Sequence, residues 1–296
     1  MRAWVNGALV DAALARISVF DRGFRVGEGV FETLRAYHGH PFRLQAHLDR
    51  AAAGAAVLGF GVPASGDLAT AIIATAGANH AHEDAAVRLT VTPGEVDPLD
   101  PFAPAVDAQP TVVVTSHPLR LDPDLYRRGV IAAVVPWGRE VPQVKAVSYL
   151  AATLARHAAR AQGADEALLT DSGGLVLEGS YSNVFAVRQG VVVTPPLDAG
   201  ILPGVTRAVT MEVAAAQGVV VEQRPLTVDE LVTADEAFLT ASTREIVPLV
   251  RVGEHVIADG APGPVTVALH AGYRAEVRRE MAASALDRAQ GDDQHG

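Results

Sequence analysis

The chain has 296 residues, 49% of them hydrophobic and 20% charged, with a formal net charge of −10. That apolar content supports buried cores for two domains and excludes global disorder. The acidic balance argues against nucleic acid as a partner, and the absence of cysteine removes disulfides and thiolate metal sites.

From the N-terminus, Ala3-Trp4-Val5 and Ala8-Leu9-Val10 flank Asn6-Gly7, a hairpin signal. A glycine-punctuated stretch, Asp21 to Gly29, leads into a strand over Val30–Tyr37. Apolar residues at helical spacing predict a helix over Arg43–Leu58, and Asp67 predicts an N-cap for a second over Leu68–Ala78. Ala86–Thr92 and Thr111–Thr115 read as strands. Between them, 93–110 is a proline-rich surface loop of the kind that carries function. Further on come a strand over Gly129–Pro136, helices over Ser148–Gln162 and Val205–Gln217, short hairpins through 166–194, and a closing helix to about Arg288. The expected class is α+β: a small N-terminal α/β domain over 1–116, an interdomain linker over 117–124, a larger domain over 125–290 and a disordered tail over 291–296. No apolar run approaches the roughly 18 residues of a membrane span, and the first residues lack a signal-peptide pattern, so the expectation is a cytoplasmic protein with no membrane contact.

The 24 basic residues are 23 arginines and a single lysine, Lys145. A coding bias accounts for the arginines but not for the lysine that survives. Arginine stays protonated, whereas a buried lysine can be tuned toward a neutral nucleophile able to form an imine. Lys145 stands in Pro142-Gln143-Val144-Lys145-Ala146-Val147-Ser148-Tyr149, just ahead of a predicted helix. Glu178 stands in an otherwise apolar strand–turn, where it is either an exposed turn acid or a buried carboxylate that needs a partner. Ser180 and Asn183 follow it as hydrogen-bonding turn residues. Gly200 to Arg207 opens a helix whose free N–H groups, with the Thr206 hydroxyl, would suit a phosphate. Ser242 and Thr243 follow a strand and offer further donors. Arg50 lies on the first long helix, either as a solvated residue or as a bidentate phosphate clamp. The histidines His38, His40, His47, His80 and His82 have no convincing metal spacing, so no metal is expected.

Taken in order, Gly27-Glu28-Gly29-Val30-Phe31-Glu32, His47-Leu48-Asp49-Arg50, Lys145, Glu178-x-Ser180-x-x-Asn183-Val184-Phe185, Leu202-Pro203-Gly204-Val205-Thr206-Arg207 and Ser242-Thr243-Arg244-Glu245 carry a resemblance. From Asp21 to Val250 the chain resembles the class IV (fold type IV) enzymes of pyridoxal 5′-phosphate. These include D-amino-acid and branched-chain aminotransferases, (R)-amine transaminases and 4-amino-4-deoxychorismate lyases. The resemblance implies a two-domain fold whose larger domain has a β-barrel-like core. It implies that Lys145 carries the cofactor as a Schiff base and moves the substrate's Cα proton, and that Glu178 pairs with the pyridine nitrogen. Arg50, Val205, Thr206 and Thr243 would hold the phosphate, Leu202 would lie against the ring, and Ser180, Asn183, Gly204 and Ser242 would complete the cofactor site. It also implies a homodimer whose active site borrows a loop from the partner, within 93–110.

For the substrate, Arg88 in an apolar strand would either bind a carboxylate or face outward, and Arg25, Phe31, Arg35 and Tyr37 are further candidates. Phe31 and Pro93 depart from the bacillary D-amino-acid enzymes, which have tyrosine and arginine there. Phe31-Glu32-Thr33-Leu34-Arg35 is closer to lyase-like or non-standard D-amino-acid members than to branched-chain ones. The Lys145–Tyr149 interval is one residue shorter than is typical of branched-chain members. The expectation is an aminotransferase between an amino acid, with D-amino acids favoured and (R)-amines as further donors, and a 2-oxo acid. A 4-amino-4-deoxychorismate lyase and a branched-chain L-amino-acid aminotransferase are the alternatives, and a non-catalytic protein of the same fold is the reading the lone lysine opposes.

Overall fold

The computed structural model describes residues 1–97, 99, 100, 103, 105 and 107–292, and side chains as far as residue 284. Of the expected loop 93–110, Pro98, Pro101, Phe102, Pro104 and Val106 lie outside the described residues, as do 293–296 of the expected tail. Gly291 and Asp292, assigned to that tail, instead belong to the last helix. The chain divides into two compact units, Met1–Arg120 with Gln143–Tyr149, and Leu121–Pro142 with Leu150–Gly296.

The first unit is an antiparallel six-stranded sheet in the order β2-β1-β6-β5-β3-β4. Its strands are β1 (Arg2–Val5), β2 (Ala8–Asp11), β3 (Val30–Tyr37), β4 (His40–Pro41), β5 (Ala85–Thr92) and β6 (Thr111–Pro118). Asn6 and Gly7 both have positive φ, which closes the predicted hairpin. A short helix, α1 (Arg22–Val26), interrupts the glycine-punctuated stretch and is capped by the Asp21 carboxylate. Helices α2 (Leu44–Val57) and α3 (Ser65–His80) pack on β3, β5, β6 and β1. Asp67 does not cap α3 as expected: the helix starts at Ser65, with Ala64 at the cap, so Asp67 falls within the first turn. There its charge faces the positive end of the helix without occupying the cap. The segment Gln143–Tyr149 joins this unit through its backbone. Phe31 N–H donates to Lys145 C=O at 2.9 Å, and Val147 N–H donates to Gly29 C=O at 2.9 Å.

The second unit is a mixed ten-stranded sheet in the order β12-β11-β10-β14-β15-β7-β8-β9-β13, with β16 paired to β15. In chain order its elements are α4 (Leu125–Arg128), β7 (Val130–Val135), α5 (Leu150–Ala161), β8 (Glu166–Thr170), β9 (Leu175–Gly179), β10 (Asn183–Arg188) and β11 (Val191–Thr194). Then come α6 (Val205–Ala216), β12 (Val221–Gln223), β13 (Leu226–Thr227), α7 (Val228–Val232), β14 (Glu236–Ala241), β15 (Glu245–Val252), β16 (His255–Val256) and α8 (Pro264–Asp292). β7 runs parallel to both β8 and β15, and β11 to β12, whereas the other pairings are antiparallel. The sheet curls into a half-barrel, so Ala132, Leu168, Val176, Val184, Val193 and Leu249, from six different strands, share one buried cluster. The fold is of type IV, as the sequence resemblance implied.

Candidate active site

In the first unit, residues alternate across β3. Glu32, Leu34 and Ala36 face one way; Phe31, Thr33, Arg35 and Tyr37 face the other. β5 pairs Arg88 with Thr33 and Thr90 with Phe31, so Arg88 shares the face of Phe31. The Arg88 guanidinium lies 3.7 Å from the Phe31 ring centroid, and the Lys145 ammonium 4.6 Å from it. Tyr149 meets Phe31 edge-on at 5.2 Å and stands 5.8 Å from Lys145 Nζ. Lys145, Phe31, Arg88 and Tyr149 therefore form one cluster, to which Tyr149 is an addition. Its signal in the sequence was only its place four residues after the lysine. Burial lowers the pKa of Arg88, although a guanidinium stays charged throughout the working range.

Three candidates, Arg35, Tyr37 and Arg25, do not join that cluster. Arg35 bonds Asp84 at 2.7 Å and lies over the Tyr37 ring at 4.5 Å, so the two residues serve each other. They stand roughly 13 and 20 Å along β3 from Phe31 at the usual strand rise. Arg25 is an exposed residue of α1.

On the opposite face of β3, Glu32 is fully buried and binds the Arg50 fork through both oxygens, at 2.8 and 2.6 Å. It also accepts from His47 Nδ1 at 2.7 Å. Burial pushes the Glu32 carboxyl up, but the charge and hydrogen bonds of Arg50, with the hydrogen bond from His47, outweigh this and hold it at about 2. Burial keeps the His47 pKa below its usual value despite the carboxylate. The contact is therefore a neutral imidazole N–H donating to a carboxylate. Arg50 is thus a clamped guanidinium rather than a solvated surface residue.

In the second unit, Glu178 is the penultimate residue of β9 and is 2% exposed, which settles its alternatives in favour of the buried carboxylate. It accepts from Arg139 Nε, from Asn183 Nδ2 at 3.3 Å and from Leu202 N–H at 3.1 Å. Asn183 Nδ2 also donates to Leu202 C=O at 3.0 Å, so carboxylate and amide together fix the backbone of Leu202. Arg139 was not among the sequence candidates; nothing in Pro136-Trp137-Gly138-Arg139 distinguishes it from other loop arginines. Ser180 and Ser182 turn to another buried carboxylate, Glu166, at 2.5 and 3.0 Å. Burial raises the Glu166 pKa against those bonds.

Gly204 caps α6 with no side-chain hydrogen bond, while Val205 and Thr206 are buried in its first turn. A side chain at Gly204 would run into Asn183 Oδ1, so glycine is what leaves room for the Asn183 side chain against the start of α6. Ser242 and Thr243 occupy the half-buried turn between β14 and β15.

This donor set fits pyridoxal 5′-phosphate. A buried carboxylate such as Glu178 suits a protonated ring nitrogen, because a buried charge needs a charged or donating partner. A buried helix start without a side-chain cap is a site for an anion. No group of His, Asp and Glu among the described residues would hold a metal ion.

The amino-transferase class IV family profile matches residues 29–252. A putative branched-chain-amino-acid aminotransferase of Methanocaldococcus jannaschii is 37% identical over 274 residues, covering 90% of this chain and 93% of the relative. A D-alanine aminotransferase of Listeria innocua is 33% identical over 285 residues, covering 94% and 97%. Among solved structures, a branched-chain aminotransferase from the archaeon Thermoproteus uzoniensis, with norvaline, superposes with a TM-score of 0.83 at 34% identity, covering 93% of each chain. Another branched-chain amino acid aminotransferase, with pyridoxamine 5′-phosphate, has the same TM-score at 31% identity.

Proposed function

The chain belongs to the class IV aminotransferases, enzymes of pyridoxal 5′-phosphate, and from that premise we propose that it moves an amino group from a D-amino acid to a 2-oxo acid by a ping-pong mechanism, with (R)-amines as further donors. The observation that carries the reading is the juxtaposition of the only lysine with Phe31 and Arg88. The cofactor supplies an electron sink for the charge that develops at the substrate Cα. Lys145 Nζ would hold the cofactor covalently until the substrate amine displaces it, and the amine so freed would carry the proton from the substrate Cα to the cofactor C4′. Glu178, fixed by Arg139, Asn183 and the Leu202 N–H, accepts from the ring nitrogen and keeps it protonated. The first turn of α6, with Val205 and Thr206, binds the phosphate together with Arg50, Ser242 and Thr243. Leu202 lies against the ring, while Ser180 and Gly204 hold the backbone around it. Arg88 takes the substrate carboxylate beside Phe31.

Phe31–Arg35 is closer to lyase-like or non-standard D-amino-acid members than to branched-chain ones, and the short Lys145–Tyr149 interval disfavours the branched-chain reading. Transfer from branched-chain L-amino acids is the second reading, favoured by the 37% identity to the archaeal relative. The protein acts as a homodimer in the cytoplasm, with part of 93–110 reaching the partner's site. Two observations support this. No helix among the described residues is long and apolar enough to cross a membrane. In addition, Leu14, Ile17, Val19, Phe20, Phe24 and Val26 form an exposed apolar run on the first unit.

The test is a single-turnover half-reaction with D-alanine, D-glutamate, L-leucine, L-glutamate, (R)-1-phenylethylamine and aminodeoxychorismate offered separately. Loss of the lysine-bound cofactor's absorbance is expected with the D-amino acids. Reaction with L-leucine alone would establish the branched-chain reading, and pyruvate release from aminodeoxychorismate without an acceptor the lyase.

A further inference from the structure

Glu245 opens β15 directly after the turn that carries Ser242 and Thr243. Its φ is +59°, a left-handed conformation in which a residue with a Cβ is strained and which glycine adopts freely. A glutamate stands there instead, fully buried. Its carboxylate accepts from His270 Nε2 at 2.6 Å and from Arg274 Nε at 2.9 Å, two residues one turn apart on α8. The peptide preceding it is held as well: the Tyr126 hydroxyl donates to Arg244 C=O at 3.2 Å, and the Tyr126 ring stacks on His270 at 4.3 Å. At the far end of the same hairpin, Glu236 accepts from the Val265 and Thr266 N–H groups at the start of α8, at 2.9 and 2.7 Å. One helix is therefore tethered to both ends of the β14–β15 hairpin by buried carboxylates.

A strained backbone persists where its surroundings over-determine it, and the side chain that over-determines this one is Glu245 itself. We propose that Glu245 is a positioning residue: anchored by His270 and Arg274, with Tyr126 on the adjoining peptide, it sets the turn so that Ser242 and Thr243 meet the phosphate of the cofactor. This rests on the reading that the turn binds that phosphate.

The experiment compares the affinity of the full chain, freed of cofactor, for pyridoxal 5′-phosphate and for pyridoxal. Both ligands carry the aldehyde that Lys145 takes, so their affinity ratio isolates the phosphate. Glu245→Gln weakens the clamp, and Glu245→Gly removes it while relieving the strain. Both are expected to lower the ratio about tenfold, the size of one charge-assisted anchor, with pyridoxal affinity unchanged. An unchanged ratio, or an equal fall for both ligands, overturns the proposal. Tyr126→Phe removes one hydroxyl and no charge; if the Glu245 variants do not fold, an unchanged ratio in this variant overturns it too. Ser242→Ala with Thr243→Val tests the underlying reading. If that pair leaves the ratio untouched, the turn does not bind phosphate; if it lowers the ratio while the Glu245 variants do not, the positioning role alone fails.

Discussion

Arg88 and Lys145 put two positive charges against one aromatic ring, at 3.7 and 4.6 Å from its centroid. The Arg88 guanidinium, lying on the Phe31 face beside Lys145, is a charge-assisted donor suited to a substrate carboxylate in the proposed reaction. Arg88→Gln is therefore expected to lower kcat/KM for amino acids roughly 10- to 100-fold, the value of a charge-assisted contact. For (R)-1-phenylethylamine, which has no carboxylate, kcat/KM should stay within about twofold. Equal losses on both donors would remove Arg88 from the carboxylate site. At this scale the sequence was most informative where residue type is irreplaceable: a lone lysine, and a glutamate in an apolar strand. It was least informative for arginines, because 23 of them look alike in a string. Only strand register separates Arg88 from Arg35, and only a loop's path brings Arg139 to Glu178.

Between elements, the Glu32–Arg50–His47 contact joins β3 to α2 inside the first unit. Glu32 is held at about 2 in the fold against 4.5 for a free glutamate. Its contribution is complete above pH 4.5 and is lost as the pH falls toward 2; the full shift amounts to about 3 kcal/mol. His47 acts in the same direction but earlier. Its neutral form is favoured by burial, so the unfolded chain gains a proton that the fold does not as the pH drops through 6.5. Urea unfolding of Glu32→Gln beside the parent chain checks the carboxylate: the stability gap between them should narrow below pH 4.5, by up to about 1.4 kcal/mol per pH unit. A constant gap down to pH 3.5 would show that Glu32 is not ionised in the fold. Periodicity placed α2, α5 and α6 to within two residues. The start of α3 was misread because aspartate suits both a cap and a first turn. The direction of Ser180 was hidden because Glu166, its partner, lies fourteen residues earlier on another strand.

For the whole molecule, composition predicted two cores, and contacts divide the chain into two units. The return of Gln143–Tyr149 to the first unit was not legible: it depends on backbone hydrogen bonds to Gly29 and Phe31, more than a hundred residues away. The apolar run Leu14–Val26 likewise reads as ordinary core residues in the string, yet it is exposed on the folded unit. Phe20→Asp with Phe24→Asp should turn a dimer into a monomer in sedimentation velocity and leave the far-ultraviolet circular dichroism intact. A parent chain that already sediments as a monomer would refute the dimer.

Because the chain has a single ε-amine, at Lys145, every lysine-directed event has one internal address. On the proposed role of Lys145, acetylation, glycation, ubiquitin transfer and dye labelling at a lysine side chain would all compete with the cofactor for the same nitrogen. For a cell, that makes the side-chain amine chemistry of this protein a direct report on whether its site is filled. For the bench, it makes borohydride reduction a means of tagging the whole population at one atom, without engineering.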